Sequence, residues 1–231
     1  MNAEADLDIL EKCHTDPYYV SFTDHPALRT MVRALTDWKE ELLLRRTMLR
    51  HHVPNAPATG VHYDKLFLRG GDAFFLTAWV PIGDIAVNGG GLIYLEDSIE
   101  LGKAIEDDFS HRNANLEDRI SAFNANMTKF GVLCDSPKQF EGDHNPDRQT
   151  LNSSSALKAA EKKSYKWLVA NYEAGDVVFH HPNAIHASGR NADKDGKIRL
   201  STDLRFYDRE ELDRGGVDKR WLKFWTLGDN L

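Results

Sequence analysis

The stretch Thr59-Gly-Val-His62-Tyr-Asp64 places an imidazole and a carboxylate two residues apart. On an extended segment such residues point to the same side of the chain, so the pair can hold one metal ion. A third ligand has to come from far along the chain, on a neighbouring strand, and within residues 175–191 we take His186. Two histidines and one carboxylate on one face of an ion leave the opposite positions open. That suits ferrous iron, which must bind a cosubstrate and dioxygen together. Each piece alone says little: an HxD tripeptide usually means nothing, and a histidine on an apolar strand is more often a hydrogen-bonded core residue. Together, and with Arg199 thirteen residues after His186, they favour a metal site.

The pieces His62-x-Asp64, Asn88-Gly-Gly-Gly-Leu92, Gly175-Asp176, His186-x-Ser188-x-x-Asn191 and Arg199-x-Ser201, in this order, resemble the phytanoyl-CoA dioxygenase family of iron(II) and 2-oxoglutarate dependent oxygenases. The resemblance covers about 59–97 and 172–207. It implies that His62, Asp64 and His186 bind iron(II), that 2-oxoglutarate fills two of the remaining positions, and that dioxygen takes the third. The far carboxylate of 2-oxoglutarate then needs a fixed cation. Arg199 offers a planar, permanently charged fork, and Ser201 on the same face can add a hydroxyl. Thr59, just before the ligand pair, could also contact the cosubstrate. In related halogenases a small residue replaces the carboxylate ligand; Asp64 fills that place here, so the resemblance implies hydroxylation or another oxidation begun by hydrogen abstraction. Succinate and carbon dioxide would be the coproducts. A runner-up reading is a cupin-like barrel using the same ligands for zinc or manganese as a hydrolase or isomerase, with Arg199 and Ser201 holding a substrate anion. A third is a non-enzymatic binding barrel, which predicts no tight metal.

The elements that must position these residues can be read in outline. With 231 residues, 41% of them hydrophobic, the chain is long enough for one domain with a substantial core, expected over 1–231. The expected fold is mainly β with flanking helices: a double-stranded β-helix, the cupin-like jelly-roll barrel, with a helical insert. Leu28, Met31, Val32, Leu35 and Trp38 recur at three and four, which predicts a supporting helix within 1–41, started by Asp24 and Pro26. Only 61 residues precede His62, so a shortened or missing N-terminal portion is expected. Residues 43–50 read as a strand, and the adjacent His51 and His52 as loop histidines, since strand neighbours face opposite sides and cannot both serve one ion.

Phe74 to Val80 and Leu92 to Leu95 read as buried strands joined by a glycine turn at 88–91 that demands positive φ. By the resemblance, that turn lies near the metal end of the barrel. From 98 to 170 the periodicity becomes helical: Leu116, Ile120, Phe123 and Met127 form a stripe opened by Asn115 and Asp118, a second helix is expected over 155–169, and 135–155 is loop. This insert is expected to act either as a lid or substrate wall or as a brace. Val177 to His180 is a strand after a turn at Gly175. Over 198–206, Ile198, Leu200, Thr202, Leu204 and Phe206 share one strand face, and Arg199, Ser201, Asp203 and Arg205 the other. The polar face is either solvated or lines the interior. Trp221, Leu222, Phe224 and Trp225 form a short amphipathic element that either caps the barrel or pairs with a second subunit as a homodimer.

Composition narrows the partners. A net charge of −7 and a pI near 5.8 give no basic footprint for nucleic acid. Two distant cysteines, Cys13 and Cys134, fit neither a disulfide scaffold nor a zinc–thiolate site. No signal peptide and no apolar run of membrane-spanning length is present, so a cytoplasmic protein is expected. The substrate is expected to be a hydrophobic small molecule, such as a secondary metabolite. Phe74, Phe75, Trp79 and Phe179, with Phe109, Phe123, Met127 and Phe130 of the insert, could build an apolar pocket. The acidic chain shows no basic cluster for coenzyme A phosphates.

Overall fold

The computed structural model describes residues 9, 11–67, 73–112, 132–141, 166–214 and 222–224. Two antiparallel sheets form its frame. The larger contains β1 (Glu41–Leu43), β2 (Met48–His52), β3 (Phe75–Pro81), β6 (Val178–His180) and β8 (Arg199–Asp208). Its order is β1-β8-β3-β6, with β2 also pairing β8. The smaller has the order β5-β4-β7, built from β4 (Leu92–Leu95), β5 (Trp167–Leu168) and β7 (His186–Ser188). The architecture is mainly β with helices outside, as a jelly roll requires.

Strand β8 organises the large sheet, and its alternation sorts the side chains. Leu204 and Phe206 turn outward, where they pack with Leu43, Leu76, Ala78 and Val80 against Val32 of helix α2 (Pro26–Thr36). Arg199, Ser201, Asp203 and Arg205 turn inward and are all buried, so the polar face lines the interior. The apolar face is covered only in its second half: Ile198 and Leu200 stay 54% and 39% exposed. The two sheets face each other through Trp79, Ile85, Leu92 and Tyr172, which form one apolar cluster between them.

Helix α1 (Pro17–Thr23) precedes α2, and Asp16 caps it by accepting from Tyr18 N and Tyr19 N. Proline starts α2, as expected, but its cap is His25, whose Nδ1 accepts from Ala27 N. Asp24 instead ends α1 and pairs with Arg29 and Arg45. Of the expected stripe, Val32 is buried while Met31 and Leu35 remain exposed.

The strand expected over 43–50 is two strands. Leu43 opposes Phe206 and Met48 opposes Asp203, so residues 44–47 face only 204–205 and bulge out of the ladder. His51 and His52, expected in a loop, belong to β2 opposite Leu200 and Arg199; His51 points to solvent and His52 is buried. In the 98–170 region, helix α3 (Ile99–Arg112) packs Ile105 against Leu95, Ile185 and Ala187. A short helix α4 (Pro137–Glu141) lies where loop was expected. The end of the helix expected over 155–169 is the strand β5, drawn into the sheet by Tyr94 and Leu95. The stripe from Leu116 to Met127 and the rest of the 155–169 helix lie outside the described residues. After β8 comes the short helix α5 (Arg209–Asp213). Of the C-terminal element, Leu222 packs on Leu44, Phe75 and Tyr207, and Phe224 lies under the Arg45 guanidinium; Trp221 and Trp225 are outside the described residues. Among the described residues no helix is long and apolar enough to cross a membrane.

Candidate metal centre

His62 and His186 are direct cross-strand partners. His62 N donates to His186 O at 2.9 Å and His186 N to His62 O at 2.8 Å, while Val61 pairs on its other side with Cys134. Directly opposed residues of an antiparallel pair share a face, and the two rings lie 4.2 Å apart between centroids. Tyr63 continues the extended backbone, and Asp64 then opens a 3-10 turn (Asp64–Leu66) rather than continuing a strand. The extended path up to Tyr63 is enough to put the Asp64 carboxylate on the side of His62. One donor atom from each of His62, Asp64 and His186 lies within 4.8 Å of the others, all three residues being buried.

The donor set has the protonation a divalent cation needs. His62 Nδ1 is 2.8 Å from Gly60 O and His186 Nδ1 is 2.9 Å from Ala184 O. A carbonyl only accepts, so each Nδ1 carries the hydrogen and each Nε2 presents its lone pair to the site. Burial lowers the pKa of His62 and, with His62 and His180 nearby, drives that of His186 well below its usual range. For Asp64 burial alone would raise the pKa, but Arg205, His180 and His186 outweigh it and hold the carboxyl well below its ordinary value. Neutral imidazoles and an ionised carboxylate are therefore in place together.

Arg199 lies on the same inward face as these groups. Its Nε donates to Gly90 O at 3.0 Å, Nη1 to Ser201 Oγ at 2.6 Å and Nη2 to Ser188 Oγ at 3.3 Å. All three acceptors are neutral, and among the described residues no carboxylate comes within ion-pairing distance. Burial pushes its pKa down to about 10, with Asp203 partly restoring it, so the group stays cationic at neutral pH. The other two arginines lining the cavity are matched: Arg50 Nε is 2.7 Å from Asp203, and Arg205 Nη2 is 3.4 Å from Asp64. Thr59 and Trp79 also line it, and the Trp79 indole N–H is buried without a partner among the described residues. A buried unmatched cation beside an unspent donor fits a small dicarboxylate, as the histidine and aspartate donors fit a divalent metal.

Other groups at the site carried no signal strong enough to single them out in the sequence. Thr77 and His180 both contact the Asp64 carboxylate, and Tyr94 contacts His180. Arg205 shares the alternation that marks Arg199, which could have found it; Thr77 sits inside an apolar run and could not be told from core. Of the aromatic residues expected to wall a pocket, only Trp79 among the described side chains reaches the site. Phe75 packs with Leu44 and Tyr207, Phe179 faces α2, and Phe74 is 45% exposed. Phe123, Met127 and Phe130 lie outside the described residues, as does the side chain of Phe109.

No curated protein matches the chain. Among solved structures it is similar to the non-heme alpha ketoglutarate dependent carbocyclase SnoK from nogalamycin biosynthesis, with 17% identity over 86% of this chain and 61% of that one and a TM-score of 0.52. EvdO2 from Micromonospora carbonacea var. aurantiaca gives 17% identity over 83% and 63%, TM-score 0.51. The non-heme monooxygenase ThoJ gives 16% over 90% and 62%, TM-score 0.52. The chain thus spans less than two thirds of the length of each, and at these identities the likeness establishes the shared fold. The motifs are placed by sequence as well: the phytanoyl-CoA dioxygenase (PhyH) profile matches residues 11–199, which takes in β1 to β7, the three converging ligand residues and Arg199. On that match over most of its length, the chain belongs to the phytanoyl-CoA dioxygenase (PhyH) family.

Proposed function

We propose that this chain is an iron(II) and 2-oxoglutarate dependent oxygenase that oxidises a C–H bond of a small organic molecule, by hydroxylation in the simplest case. The observation that carries the reading is the pairing of two matched sites on one inward face: a His62/Asp64/His186 donor set and, beside it, the buried Arg199 cation facing only neutral oxygens. His62 Nε2, Asp64 and His186 Nε2 would hold the iron, which when bound would allow dioxygen to act as the oxidant, one oxygen atom going to 2-oxoglutarate as it is decarboxylated to succinate and the other oxidising the substrate. Arg199 would grip the far carboxylate of the cosubstrate as a charge-assisted fork, with Ser201 and Ser188 fixing the guanidinium plane. Trp79 Nε1 has a hydrogen to give to a polar atom in the cavity.

The substrate we propose is a hydrophobic secondary metabolite rather than an acyl-coenzyme A. Of the arginines at the cavity, Arg50 and Arg205 are paired with Asp203 and Asp64, and Arg199 would serve the cosubstrate; among the described residues no cluster of cations lining it is left for coenzyme A phosphates. A structure of the same fold, SnoK, is described as a carbocyclase from nogalamycin biosynthesis, which supports the same class. The test is to load the protein with iron(II), add 2-oxoglutarate and follow succinate release with a panel of acyl-coenzyme A thioesters and of polycyclic or polyketide-like compounds. We expect stimulation by the second group and none in Asp64→Ala. No 2-oxoglutarate consumption, with tight zinc binding instead, would overturn the oxygenase reading; stimulation by an acyl-coenzyme A alone would overturn the substrate class.

A further inference from the structure

The two oxygens of Asp64 are treated differently by the fold. Oδ1 is the oxygen nearer the ligand nitrogens, 3.7 Å from His186 Nε2 and 4.0 Å from His62 Nε2. Oδ2 accepts from Thr77 Oγ1 at 2.6 Å and lies 3.2 Å from His180 Nε2. These two donors are no accident of loop conformation: Thr77 on β3 directly opposes His180 on β6 and, on its other side, Arg205 on β8. Opposed residues share a sheet face, so one row across three strands delivers three polar side chains to a single carboxylate: Thr77 and His180 meet Oδ2, while Arg205 Nη2 lies 3.4 Å from Oδ1.

His180 is itself fixed in its ring orientation. An ionised carboxylate only accepts, so the His180 Nε2 facing Asp64 Oδ2 carries a hydrogen, and its Nδ1 on the other side of the ring lies 3.0 Å from the Tyr94 hydroxyl, which can donate or accept. Tyr94 belongs to β4, in the opposite sheet. The relay Tyr94 to His180 to Asp64 therefore fixes the carboxylate from both sheets at once.

We propose that Thr77 and His180, with Tyr94 behind them, are positioning residues that occupy Asp64 Oδ2 and so restrict the carboxylate to one metal-binding oxygen, Oδ1. A free carboxylate can bind a divalent ion through one oxygen or both. A second oxygen on the ion would take a place that the cosubstrate and dioxygen need, so the row controls how many places stay open as well as how tightly the ion is held. This inference rests on the metal reading above.

Cobalt(II) is the probe, because its visible absorption reports coordination number and its affinity can be read by competition with a chelator. Removing an outer-shell partner typically costs about 10- to 100-fold in metal affinity. We expect that loss, and a changed cobalt spectrum, in Thr77→Val and His180→Phe, and restoration toward wild type in Thr77→Ser and His180→Gln, which keep a donor. Tyr94→Phe removes one hydroxyl only; if the larger changes prevent folding it carries the test, with a changed spectrum expected. Wild-type affinity and spectrum in all these variants would overturn the proposal, as would losses that the donor-keeping variants do not restore. A wild-type protein that binds no cobalt would remove the metal centre itself, a result distinct from either.

Discussion

Arg199 brings a full positive charge into a space where Gly90 O, Ser188 Oγ and Ser201 Oγ are its only hydrogen-bond acceptors among the described residues. Arg199→Ala should weaken 2-oxoglutarate binding by about 2 to 5 kcal/mol, a loss of roughly 30-fold or more, by analogy with truncated buried charge pairs. Arg199→Lys should recover part of it, since it keeps the charge and loses the fork. Calorimetric titration of 2-oxoglutarate into the metal-loaded protein checks both, and unchanged affinity in Arg199→Ala would assign the far carboxylate to another group. That His62, Asp64 and His186 converge, and that Arg199 and Ser201 share one strand face, was legible in the sequence because the spacing along the chain is itself the signal. Thr77, His180 and Tyr94 were not, because their roles depend on which strands are neighbours and in what register. A threonine in the run Phe75-Leu-Thr77-Ala-Trp79 reads as core until β6 and β8 are known to flank it.

Helix α3 meets the loop before β7 at Gly102, where an added Cβ would overlap the Asn183 carbonyl oxygen. Gly102→Ala should therefore destabilise the fold by about 1 to 3 kcal/mol, although alanine is intrinsically the better helix former by about 1 kcal/mol. Urea denaturation reads the sum, and a stabilised variant would show that the approach can relax. A second element-scale contact joins α2 to β1: Glu41, 4% exposed, pairs with Arg29 at 2.7 Å and Arg33 at 2.8 Å. Burial alone would raise its pKa, but Arg29, its own backbone and Arg33 together lower it. A carboxyl lowered in the folded state adds stability above the unfolded pKa, about 4.3, and loses it as pH falls through the folded value. Glu41→Gln should cost about 1 to 3 kcal/mol at pH 7, since the arginines are partly exposed, and the cost should shrink as the buffer is taken below pH 4. A cost independent of pH would contradict the assignment. At this scale β3, β4 and β8 were legible from apolar runs and strict alternation. The bulge at 44–47 and the turn at Asp64 were not, because both arise from how the chain must fit a partner strand.

The candidate site draws on the whole molecule. His186 comes from the small sheet, Arg199 from the large one, and His62 and Asp64 from the extended stretch that Val61 bridges to Cys134 and His62 bridges to His186. A metal and cosubstrate bound there would tie both sheets together and stabilise only the folded state, by about 2.7 kcal/mol at a hundred times the dissociation constant. Thermal unfolding should rise in temperature when manganese(II) and 2-oxoglutarate are added together, and stay unmoved in Asp64→Ala. The jelly roll was foreseeable from glycine-punctuated strands and from the family motifs, whereas the division of the strands into a five-stranded and a three-stranded sheet depends on long-range pairing that no local pattern encodes. The glycine turn at 88–91 is held from two directions: Arg199 Nε grips Gly90 O on one side, while Gly189 N bonds Gly91 O and Ala192 N bonds Asn88 O on the other. Whatever immobilises the Arg199 guanidinium also slows the opening of that turn, so the amide protons of Gly189 and Ala192 become an internal gauge of cosubstrate occupancy. Their deuterium exchange should slow on addition of 2-oxoglutarate, and in Arg199→Ala the gauge should read the same with or without it.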